Sequence, residues 1–510
     1  MTIAELFERS GIDVTSGITE QKPVDTVVKG VAYDSRKLAA GQVFVAIRGE
    51  RSNGADFAHQ AKSRGAVAVV AECPSPSGFG MPWAEVADAR KTLARLAAGF
   101  YGEPSNELIV VGTTGTNGKT TTTYLIEGVF EQAGLSCGRI SSVSYRVAGI
   151  EQSATRTTPE SSDLQALLRQ MVDRDCQACA MEVSSHALAQ DRVWGCRWDG
   201  AVFTNLSRDH LDYHPDMQTY FAAKARLFRD HLAVSQKSNR FGVMNADDTW
   251  GQKLLVEQLP YQVLTYGMHN DSTVVAQRLN FSLHSTQAVL RVGNDVVEIS
   301  SALIGEPNMY NILAATTVAH ALGVPPEKIA TGVAKCQRVP GRLEAIPTGR
   351  AFEVFVDYAH KPDALEKTLA TFRSLASRRL ITVFGCGGDR DTGKRPLMGE
   401  VAGRLSDVVM LTADNPRTED PHKILAETEA GLSRSGMRCE KHAAVGSLRG
   451  MYAVIPDRRS AIRRALDEAR PGDVVVIAGK GHEDYQIIGM TKHHFDDAEE
   501  VRKYLSAAVH

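Results

Sequence analysis

Hydrophobic positions in the middle of the chain fall into short apolar runs separated by amphipathic stretches. At residue 108 the run LIVVG is followed by TTGTNGKTTTTYLIEGVFEQAG, which is typical of a glycine loop that opens a helix. The runs CAMEV at 179–183 and GAVFTN at 200–205 alternate with helical stretches such as SDLQALLRQMV. Strands connected through helices in this way form a parallel sheet. The pattern therefore predicts a central α/β domain.

The pattern breaks at VPGR, residues 339–342, where proline and glycine punctuate the chain. The apolar runs FEVFVDYA, LITVFG, DVVMLT and DVVVIAG follow, separated by helix-like segments such as DALEKTLATFRSLA. This rhythm predicts a second, doubly wound α/β domain. Before residue 107, GVAYDSRKLAAGQVFVAIRGE and GAVAVVAE indicate a smaller mixed α/β domain. We therefore expect domains at 1–106, 107–340 and 341–510.

Composition is typical of an ordinary soluble globular protein with more than one domain. The chain has 510 residues, more than one hydrophobic core usually supports. Its net charge of -2 gives no basic surplus for a nucleic acid. The N-terminus carries acidic residues and no apolar core of a signal peptide, and no later window is apolar enough to insert into a membrane. These features predict a cytoplasmic protein, with a monomer as the default expectation.

The eight cysteines are too scattered for a disulfide scaffold, and we expect free thiols. Cys176 and Cys179 form a CxxC pair, but no second pair with zinc-ligand spacing accompanies them. Small residues entering a buried strand are the favoured interpretation.

The segment GTTGTNGKTT, residues 112–121, lies between a predicted strand and a predicted helix, as a phosphate loop requires. Gly115 and Gly118 let backbone N–H groups face phosphate oxygens, Lys119 supplies a cation, and Thr120 can offer its hydroxyl to magnesium. ATP is the expected ligand. The strict motif has glycine at position 113, whereas this chain has Thr113. A helix-capping turn without a ligand is the alternative.

Polar residues follow two further predicted strands. Glu182 in MEVSSHAL lies at the carboxyl end of a strand, where ligands bind in open parallel sheets. His210 in FTNLSRDHLDYH follows the next strand, and Lys224 begins KARLF. Each of these residues alone is equally compatible with a hydrogen-bonded structural role. Only together with the phosphate loop do Glu182, His210 and Lys224 form a recognisable set of candidate site residues.

Together, TGTNGKT, EVSSHAL, NLSRDHLDYH, KARLF, GEPNMYNILAA, VPGRLE and DYAHKPDAL resemble the Mur ligase family over most of the chain. The resemblance implies an α/β fold of three domains: a small mixed α/β N-terminal domain, a central P-loop-type parallel-sheet ATPase domain and a C-terminal Rossmann-like domain. It is strongest to members that join meso-diaminopimelate to UDP-N-acetylmuramoyl-L-alanyl-D-glutamate with ATP. The implied role is an ADP-producing ligase of cytoplasmic peptidoglycan precursor synthesis, on which cell shape and division depend.

The resemblance also implies a mechanism and its residues. The substrate carboxylate attacks the γ-phosphate of ATP, and the amino acid's amine attacks the resulting acyl phosphate. The implied catalytic residues are Lys119, Glu182, His210 and Lys224. The implied magnesium ligands, for two ions, are Thr120, Glu182, His210 and Lys224, the last as a carbamate (N6-carboxylysine), because magnesium prefers oxygen ligands.

The implied ATP-binding residues are Thr114, Gly115, Thr116, Asn117, Gly118, Lys119, Thr120, Thr121, Asn308, Asn311, Arg342, Asp357 and His360. A helix N-cap is the alternative for Asn308, and a surface charge is the alternative for Arg342.

The other two substrates have their own implied residues. Those for the UDP-linked precursor are Ser35, Thr157, Thr158, Ser184, Gln190 and Arg192. Those for meso-diaminopimelate are Arg390, Asp414, Asn415, Pro416, Arg417, Gly479 and Glu483. Diaminopimelate carries a carboxylate that lysine lacks, so a cationic Arg417 near that end would favour it. A plain strand-to-helix turn is the alternative for GCGGD, and a turn in which Pro416 breaks a helix is the alternative for DNPR.

Two other functions remain open. One is another ligase of the same fold, either a lysine-adding enzyme or a folylpolyglutamate-type synthetase. The segments DNPR and DSRK disfavour each of these. The other is a non-catalytic nucleotide-binding protein, which would not need Lys119, Glu182, His210 and Lys224 together.

Overall fold

A computed structural model describes residues 1–12, 18–19, 26–49, 52–439 and 450–507. The N-terminal unit is a five-stranded sheet with strand order β1-β5-β4-β3-β2, in which only β1 is antiparallel to its neighbour. Its elements are α1 (Ile3–Arg9), β1 (Ile18–Thr19), β2 (Gly30–Ala32), β3 (Gln42–Val45), α2 (Ala58–Ser63), β4 (Ala68–Ala71), β5 (Trp83–Glu85) and α3 (Ala89–Phe100), with 3-10 turns at Gly54–Phe57 and Pro104–Asn106.

The central unit contains an eleven-stranded sheet with the order β16-β15-β14-β13-β12-β11-β6-β10-β7-β8-β9. Its strands are β6 (Ile109–Thr114), β7 (Cys137–Ile140), β8 (Ser144–Val147), β9 (Ile150–Ser153), β10 (Ala178–Glu182), β11 (Gly200–Phe203), β12 (Phe241–Asn245), β13 (Gln262–Gly267), β14 (Val274–Phe281), β15 (Thr286–Val292) and β16 (Asp295–Ser301). Its helices are α4 (Lys119–Gln132), α5 (Ser161–Val172), α6 (Ser185–Ala189), α7 (Met217–Arg226), continued by a π-helical turn at Leu227–Leu232, α8 (Thr249–Leu255), α9 (Gly305–Ala321) and α10 (Pro326–Lys335).

The last unit is a seven-stranded sheet, β17-β18-β23-β19-β20-β22-β21, with a separate hairpin β24-β25. Its strands are β17 (Glu344–Ile346), β18 (Glu353–Asp357), β19 (Leu380–Phe384), β20 (Val408–Leu411), β21 (Arg438–Cys439), β22 (Met451–Val454), β23 (Val474–Ala478), β24 (Tyr485–Ile488) and β25 (Thr491–His494). Its helices are α11 (Pro362–Leu375), α12 (Lys394–Leu405), α13 (Pro421–Arg434), α14 (Arg458–Glu468) and α15 (Asp497–Ala507).

Buried apolar strands and amphipathic helices form the core of each unit. In the central unit β6, β10 and β11 are buried throughout nearly their whole length, and helices cover both faces of the sheet. Cys179 lies within β10 and Cys176 is buried before it, which confirms the strand interpretation. The α/β fold class predicted from the apolar runs is confirmed. The antiparallel hairpins β8-β9 and β14-β15-β16 at the sheet edges were not predicted.

The parallel register brings three chain segments to one edge of the central sheet. Glu182 at the end of β10 pairs with Thr113 of β6, and Phe203 at the end of β11 pairs with Thr114. The carboxyl ends of adjacent parallel strands open a crevice in such sheets. The phosphate loop, the segment after Glu182 and the segment after Phe203 therefore converge on the same place.

Candidate functional site

The loop between β6 and α4 has the backbone of a phosphate-binding turn. Gly115 has a φ of 147°, and an added Cβ there would lie 1.8 Å from Thr204 Oγ1. Gly118 has a φ of 86°, and its Cβ would lie 2.3 Å from Asn311 Oδ1. Thr113, the departure from the strict motif, is a buried strand residue within β6. The loop therefore requires glycine at 115 and 118, whereas position 113 is part of the strand.

Lys119 and Lys224 converge on a single backbone carbonyl. Lys119 Nζ donates to Gly115 O at 2.9 Å and to Thr116 O at 3.0 Å. Lys224 Nζ, in a side chain that is almost fully buried, donates to the same Gly115 O at 2.7 Å. Burial lowers the pKa of Lys119 to about 8, against the opposing effect of Glu182. Burial, followed by the charge of Lys119, lowers the pKa of Lys224 well below its ordinary value.

Glu182 lies buried beside the phosphate loop. It accepts hydrogen bonds from Ser142 N at 2.8 Å and Ser142 Oγ at 3.2 Å. Ser142 Oγ is in turn 3.2 Å from Thr120 Oγ1. Arg342 Nη2, from the segment that leads into the last unit, donates to Thr120 Oγ1 at 3.1 Å. These contacts cluster oxygen atoms from the predicted magnesium ligands Thr120 and Glu182.

His210 lies at the same edge in a left-handed backbone conformation, with a φ of 53°. Its Nε2 is 3.0 Å from Asp209 Oδ2, and Asp209 also accepts from Lys361 of the last unit. Burial would raise the pKa of Asp209, but the hydrogen bond from His210 and the charge of Lys361 lower it overall. Asp209 and Lys361 were missed from sequence, although each is the direct neighbour of a predicted residue, His210 and His360.

A cleft of about 720 Å³ contains most of the predicted nucleotide residues. Those that line it are Thr116, Asn117, Gly118, Lys119, Thr120, Thr121, Asn308, Asn311, Arg342, Asp357 and His360, together with Thr157, Glu182 and His210. Thr114 and Gly115 lie behind them, at the end of β6 and the start of the loop. The cleft thus runs from the phosphate loop of the central unit to helix α11 of the last one.

Asn308 and Asn311 lie inside α9, so the N-cap alternative for Asn308 is wrong. Asn308 Nδ2 donates to Ile304 O at 2.9 Å, and its Oδ1 accepts from Asn311 Nδ2 at 3.1 Å. Asn311 Oδ1 accepts from Thr122 Oγ1 of α4 at 3.2 Å. The two amides therefore connect α9 to the helix that follows the phosphate loop.

One end of the cleft is formed by residues that sequence reasoning missed. Asp247 accepts from Tyr310 Oη at 3.0 Å and from the backbone N–H groups of Met268 and Asn270 at 2.6 and 2.9 Å. Tyr266 and Phe281 line the same region. Strands β15 and β16, which follow this region, alternate buried and exposed residues, and that period of two was the available signal for the antiparallel strands.

Asp357 and His360, both predicted to bind ATP, lie at the carboxyl end of β18. Asp357 Oδ2 accepts from Leu343 N at 2.8 Å and Oδ1 accepts from Thr368 Oγ1 at 2.9 Å. His360 Nδ1 lies 2.7 Å from Tyr358 O. Burial raises the pKa of Asp357, and it lowers the pKa of His360 well below the ordinary value.

Four of the residues predicted for the UDP-linked precursor form one network beside Glu182. Thr158 Oγ1 donates to Glu182 O at 2.9 Å and accepts from Ser184 N at 3.0 Å. Arg192 donates to Thr158 O at 3.1 Å and to Gln190 Oε1 at 2.6 Å. Thr157 lines the cleft next to them. Ser35 lies apart in the N-terminal unit, where its hydroxyl donates to Gln60 at 2.6 Å.

Contacts between the first two units lie beside this network. Tyr33 Oη donates to Asp163 Oδ2 at 2.8 Å. Glu160 lies 3.3 Å from Arg192 Nε and 3.8 Å from Arg90 of the N-terminal unit. The N-terminal unit therefore closes one side of the predicted precursor site.

Most residues predicted for the amino acid meet at the carboxyl edge of the last sheet. Asn415 Nδ2 donates to Glu483 at 3.0 Å, and the buried Lys480 lies 3.5 Å from both Asp414 and Glu483. Burial and the nearby Asp414 raise the pKa of Glu483. Pro416 is buried between Asn415 and Arg417, and no helix is present there for it to break. Lys480 was missed from sequence.

The remaining predicted amino-acid residues surround this cluster. Arg417 Nη1 donates to Gly388 O at 2.7 Å, and Gly479, with a φ of 119°, donates its N–H to Asp357 O at 3.0 Å. Arg390 is exposed, and its guanidinium donates to the neighbouring Asp389 O at 3.0 Å rather than to the cluster.

Comparison with known proteins places the chain among ligases. Family models match residues 27–101 (Mur ligase family, catalytic domain), 113–319 (Mur ligase middle domain) and 341–481 (Mur ligase, glutamate ligase domain). A UDP-N-acetylmuramoyl-L-alanyl-D-glutamate–2,6-diaminopimelate ligase of Geobacter metallireducens is 49% identical over 93% of both chains. The enzyme of that name from Syntrophomonas wolfei is 41% identical over 100% of both.

The fold gives the same result. A solved structure of a UDP-N-acetylmuramoyl-L-alanyl-D-glutamate–2,6-diaminopimelate ligase superposes with a TM-score of 0.68 at 32% identity and covers 100% of both chains. The resemblance drawn from the sequence motifs is confirmed. The chain belongs to the Mur ligase family.

Proposed function

We propose that the chain is the ATP-dependent ligase that joins meso-diaminopimelate to UDP-N-acetylmuramoyl-L-alanyl-D-glutamate in peptidoglycan precursor synthesis. The observation that carries the proposal is the convergence of the phosphate loop, Glu182 and Lys224 at the carboxyl ends of adjacent strands. The relatives at 41–49% identity that bear this enzyme's name support the same reaction.

ATP fits the cleft as the activating co-substrate. Backbone N–H groups of the loop and the start of α4 suit the phosphates, because helix N-termini and glycine turns bind anions. Lys119 adds a cation at that point, and Arg342, donating to Thr120, brings a second cation from the last unit. The polar end formed by Asp247 and Tyr310 suits the nucleoside.

The oxygen atoms near the loop also fit magnesium. The described residues contain no group of three or more His, Cys, Asp or Glu side chains that could hold a metal. The fit therefore depends on Thr120 Oγ1, on the Glu182 carboxylate and on Lys224 as a carbamate, with His210 nearby, since magnesium prefers oxygen ligands. When bound, magnesium would neutralise charge on the phosphates.

The surroundings of Lys224 support its carbamylation. A neutral amine is the form that adds carbon dioxide, and the lowered pKa of Lys224 favours that form. When Lys224 is unmodified, its Nζ and that of Lys119 both donate to Gly115 O. A carbamate at Lys224 would replace repulsion of Lys119 with attraction. We therefore assign N6-carboxylysine to position 224.

The chemistry then proceeds in two steps. The precursor's carboxylate oxygen forms a bond to the γ-phosphorus while the bond to the bridging oxygen breaks, and ADP leaves. The amine of diaminopimelate next attacks the acyl phosphate carbonyl; a C–N bond forms, phosphate leaves and the amine loses a proton. Lys119 and the loop N–H groups stabilise charge on the transferred phosphoryl group, the main requirement of such reactions.

The precursor and the amino acid are assigned to residues of different units. We assign the precursor's dipeptide end to Thr157, Thr158, Ser184, Gln190 and Arg192, and its uridine nucleotide to the N-terminal unit with Ser35. We assign the amino acid's distal ammonium to Asp414 and Glu483 and its distal carboxylate to Arg417, with Arg390 at the rim.

Three further proposals complete the assignment. The domains are 1–106, 107–340 and 341–510, the enzyme acts in the cytoplasm, and it acts as a monomer. Among the helices of the described residues, none combines the length and the apolar character that a membrane crossing requires.

The test is ADP release by the purified protein with ATP, magnesium and the UDP-linked dipeptide precursor, comparing meso-diaminopimelate with L-lysine. We expect release that depends on the precursor and on meso-diaminopimelate. A preference for lysine would leave the ligase assignment intact and refute the role of Arg417. No release with either amino acid would refute the proposed function.

A further inference from the structure

Two loops of the last unit carry most of the proposed amino-acid contacts, and they are packed backbone to backbone. The first loop follows β19 (residues 385–390) and the second follows β20 (residues 412–419). Gly388 N donates to Asn415 O at 2.9 Å. A Cβ at Gly388 would lie 1.9 Å from Pro416 O, so any side chain there would separate the loops.

Arg395 lies beneath both loops. Its side chain is fully buried in the first turn of α12. Nη2 donates to Gly387 O at 3.2 Å in the first loop and to Glu419 Oε1 at 2.8 Å in the second. Nη1 donates to Glu427 Oε2 of α13 at 2.7 Å. One guanidinium therefore connects the two loops to each other and to the helix layer below.

Glu419 connects this network to Asp389, an exposed residue of the first loop. It accepts from Asp389 N in addition to Arg395. The Asp389 carboxylate in turn accepts from Thr418 Oγ1 at 2.9 Å. Asp389 and Arg417 both have a φ of 52°, an unfavourable conformation for non-glycine residues, so the surrounding contacts must hold it.

The network ends at the proposed specificity residue. Arg417 Nη1 donates to Gly388 O, the carbonyl next to the one that Arg395 holds. Because a guanidinium presents its donors in a rigid plane, fixing one N–H also fixes the direction of the others. The position of Gly388 O therefore sets how Arg417 faces the amino acid.

We propose that Arg395 is a positioning residue for amino-acid selection: by holding Gly387 O and Glu419 it fixes the two loops so that Arg417 faces the distal carboxylate of the substrate. This inference rests on the proposed function. Arg395 itself, being fully buried, acts through Arg417 and does not touch the substrate.

The two carboxylate partners of Arg395 offer a matched comparison. Glu419 joins it to the loops, whereas Glu427 joins it only to α13. Glu419→Ala and Glu427→Ala each remove one carboxylate from the same guanidinium. A purely structural role predicts the same effect from both substitutions.

The experiment is steady-state kinetics of the two full-length variants, varying meso-diaminopimelate, L-lysine and ATP in turn. For Glu419→Ala we expect a KM for meso-diaminopimelate raised about tenfold, because a hydrogen-bonded charge is lost. We expect kcat and the KM for ATP to stay near wild type, and the preference over lysine to fall. Glu427→Ala should retain the wild-type KM and preference.

Equal effects of the two substitutions, or an unchanged KM in Glu419→Ala, would overturn the inference while the wild-type reaction still supports the proposed function. If Glu419→Ala fails to fold, Thr418→Val keeps the inference testable, because it removes only the hydroxyl that supports Asp389. It should raise the KM for meso-diaminopimelate by a smaller factor, and no rise would overturn the inference.

Discussion

At the scale of single residues, the site is defined by charges held in unusual surroundings. Lys119 and Lys224 share the carbonyl of Gly115, and both have a lowered pKa. Such groups reduce the stability of the folded chain and are retained where function needs them. Two measurements follow from this pair.

The first prediction concerns Lys224. Since a carbamate forms from the neutral amine and carbon dioxide, we expect activity to fall in carbon dioxide-depleted buffer and to return when bicarbonate is added. Lys224→Arg should have little activity under either condition. Lys253→Arg, a change at an exposed lysine beside Trp250, should respond as wild type does. Wild-type turnover that is indifferent to bicarbonate would count against the carbamate.

The second prediction concerns stability and pH. The pKa of Lys119 is about 8 in the folded chain and ordinary in the unfolded one, so between these values the unfolded chain binds more protons. In carbon dioxide-depleted buffer, where Lys224 stays unmodified, the wild-type unfolding free energy should therefore rise with pH from about 8 to about 10.5, by about 1–3 kcal/mol from Lys119. Lys119→Met should lose that part of the rise and lose ATP-dependent turnover. Urea titrations at about pH 8 and about pH 10.5 measure the unfolding free energy of both proteins. An identical rise in wild type and Lys119→Met would refute the prediction.

At the scale of elements, the local sequence pattern was enough to predict the structure where a motif lies within one strand, loop or helix. LIVVG and the glycine loop predicted β6 and α4, and Glu182 was correctly expected at a strand's end. Partners distant in sequence were not predictable. Nothing around Asp209 indicates that Lys361 pairs with it, and nothing around Arg395 points to Glu419, because such contacts depend on which strands become neighbours in the sheet.

Helix α4 allows a third prediction, because glycines with nearly equal φ lie near its two ends. Gly118 has a φ of 86° and faces Asn311, whereas Gly134 has a φ of 88° and no heavy atom within 4 Å of an added Cβ. Gly134→Ala should cost about 1–2 kcal/mol of unfolding free energy, the price of the left-handed conformation alone. Gly118→Ala should cost more and should also weaken ATP binding. If urea unfolding shows that Gly118→Ala and Gly134→Ala lower the unfolding free energy equally, the prediction is wrong and Asn311 moves aside freely.

At the scale of the whole molecule, the last unit is held on the central one by polar contacts around the cleft. Asp363 of α11 accepts from Ser207 Oγ at 2.7 Å and from Asn117 Nδ2 at 3.1 Å, and Lys361 pairs with Asp209. Arg342 reaches Thr120 from the same side. These contacts bring groups of two units to the cleft proposed to bind ATP.

The fourth prediction tests this arrangement. Asp363→Ala should raise the KM for ATP several-fold and increase the radius of gyration measured by small-angle scattering with nucleotide bound, because ligands that bridge units stabilise the closed form. Glu366→Ala, on the same helix, removes an exposed pair with Arg404 and should change neither quantity. Unchanged scattering together with an unchanged KM in Asp363→Ala would show that the contacts do not hold the units together.

The residues proposed to bind the amino acid all lie within the last unit, while the phosphate loop, Glu182 and Lys224 lie within the central one. Evolution can therefore alter which amino acid is added without disturbing the groups that activate the carboxylate. Exchange of the segment from Arg342 onward between related ligases is the corresponding engineering route. In such a chimaera the phosphate loop, Glu182 and Lys224 would descend from one parent, and Arg342, His360 and the choice of building block from the other.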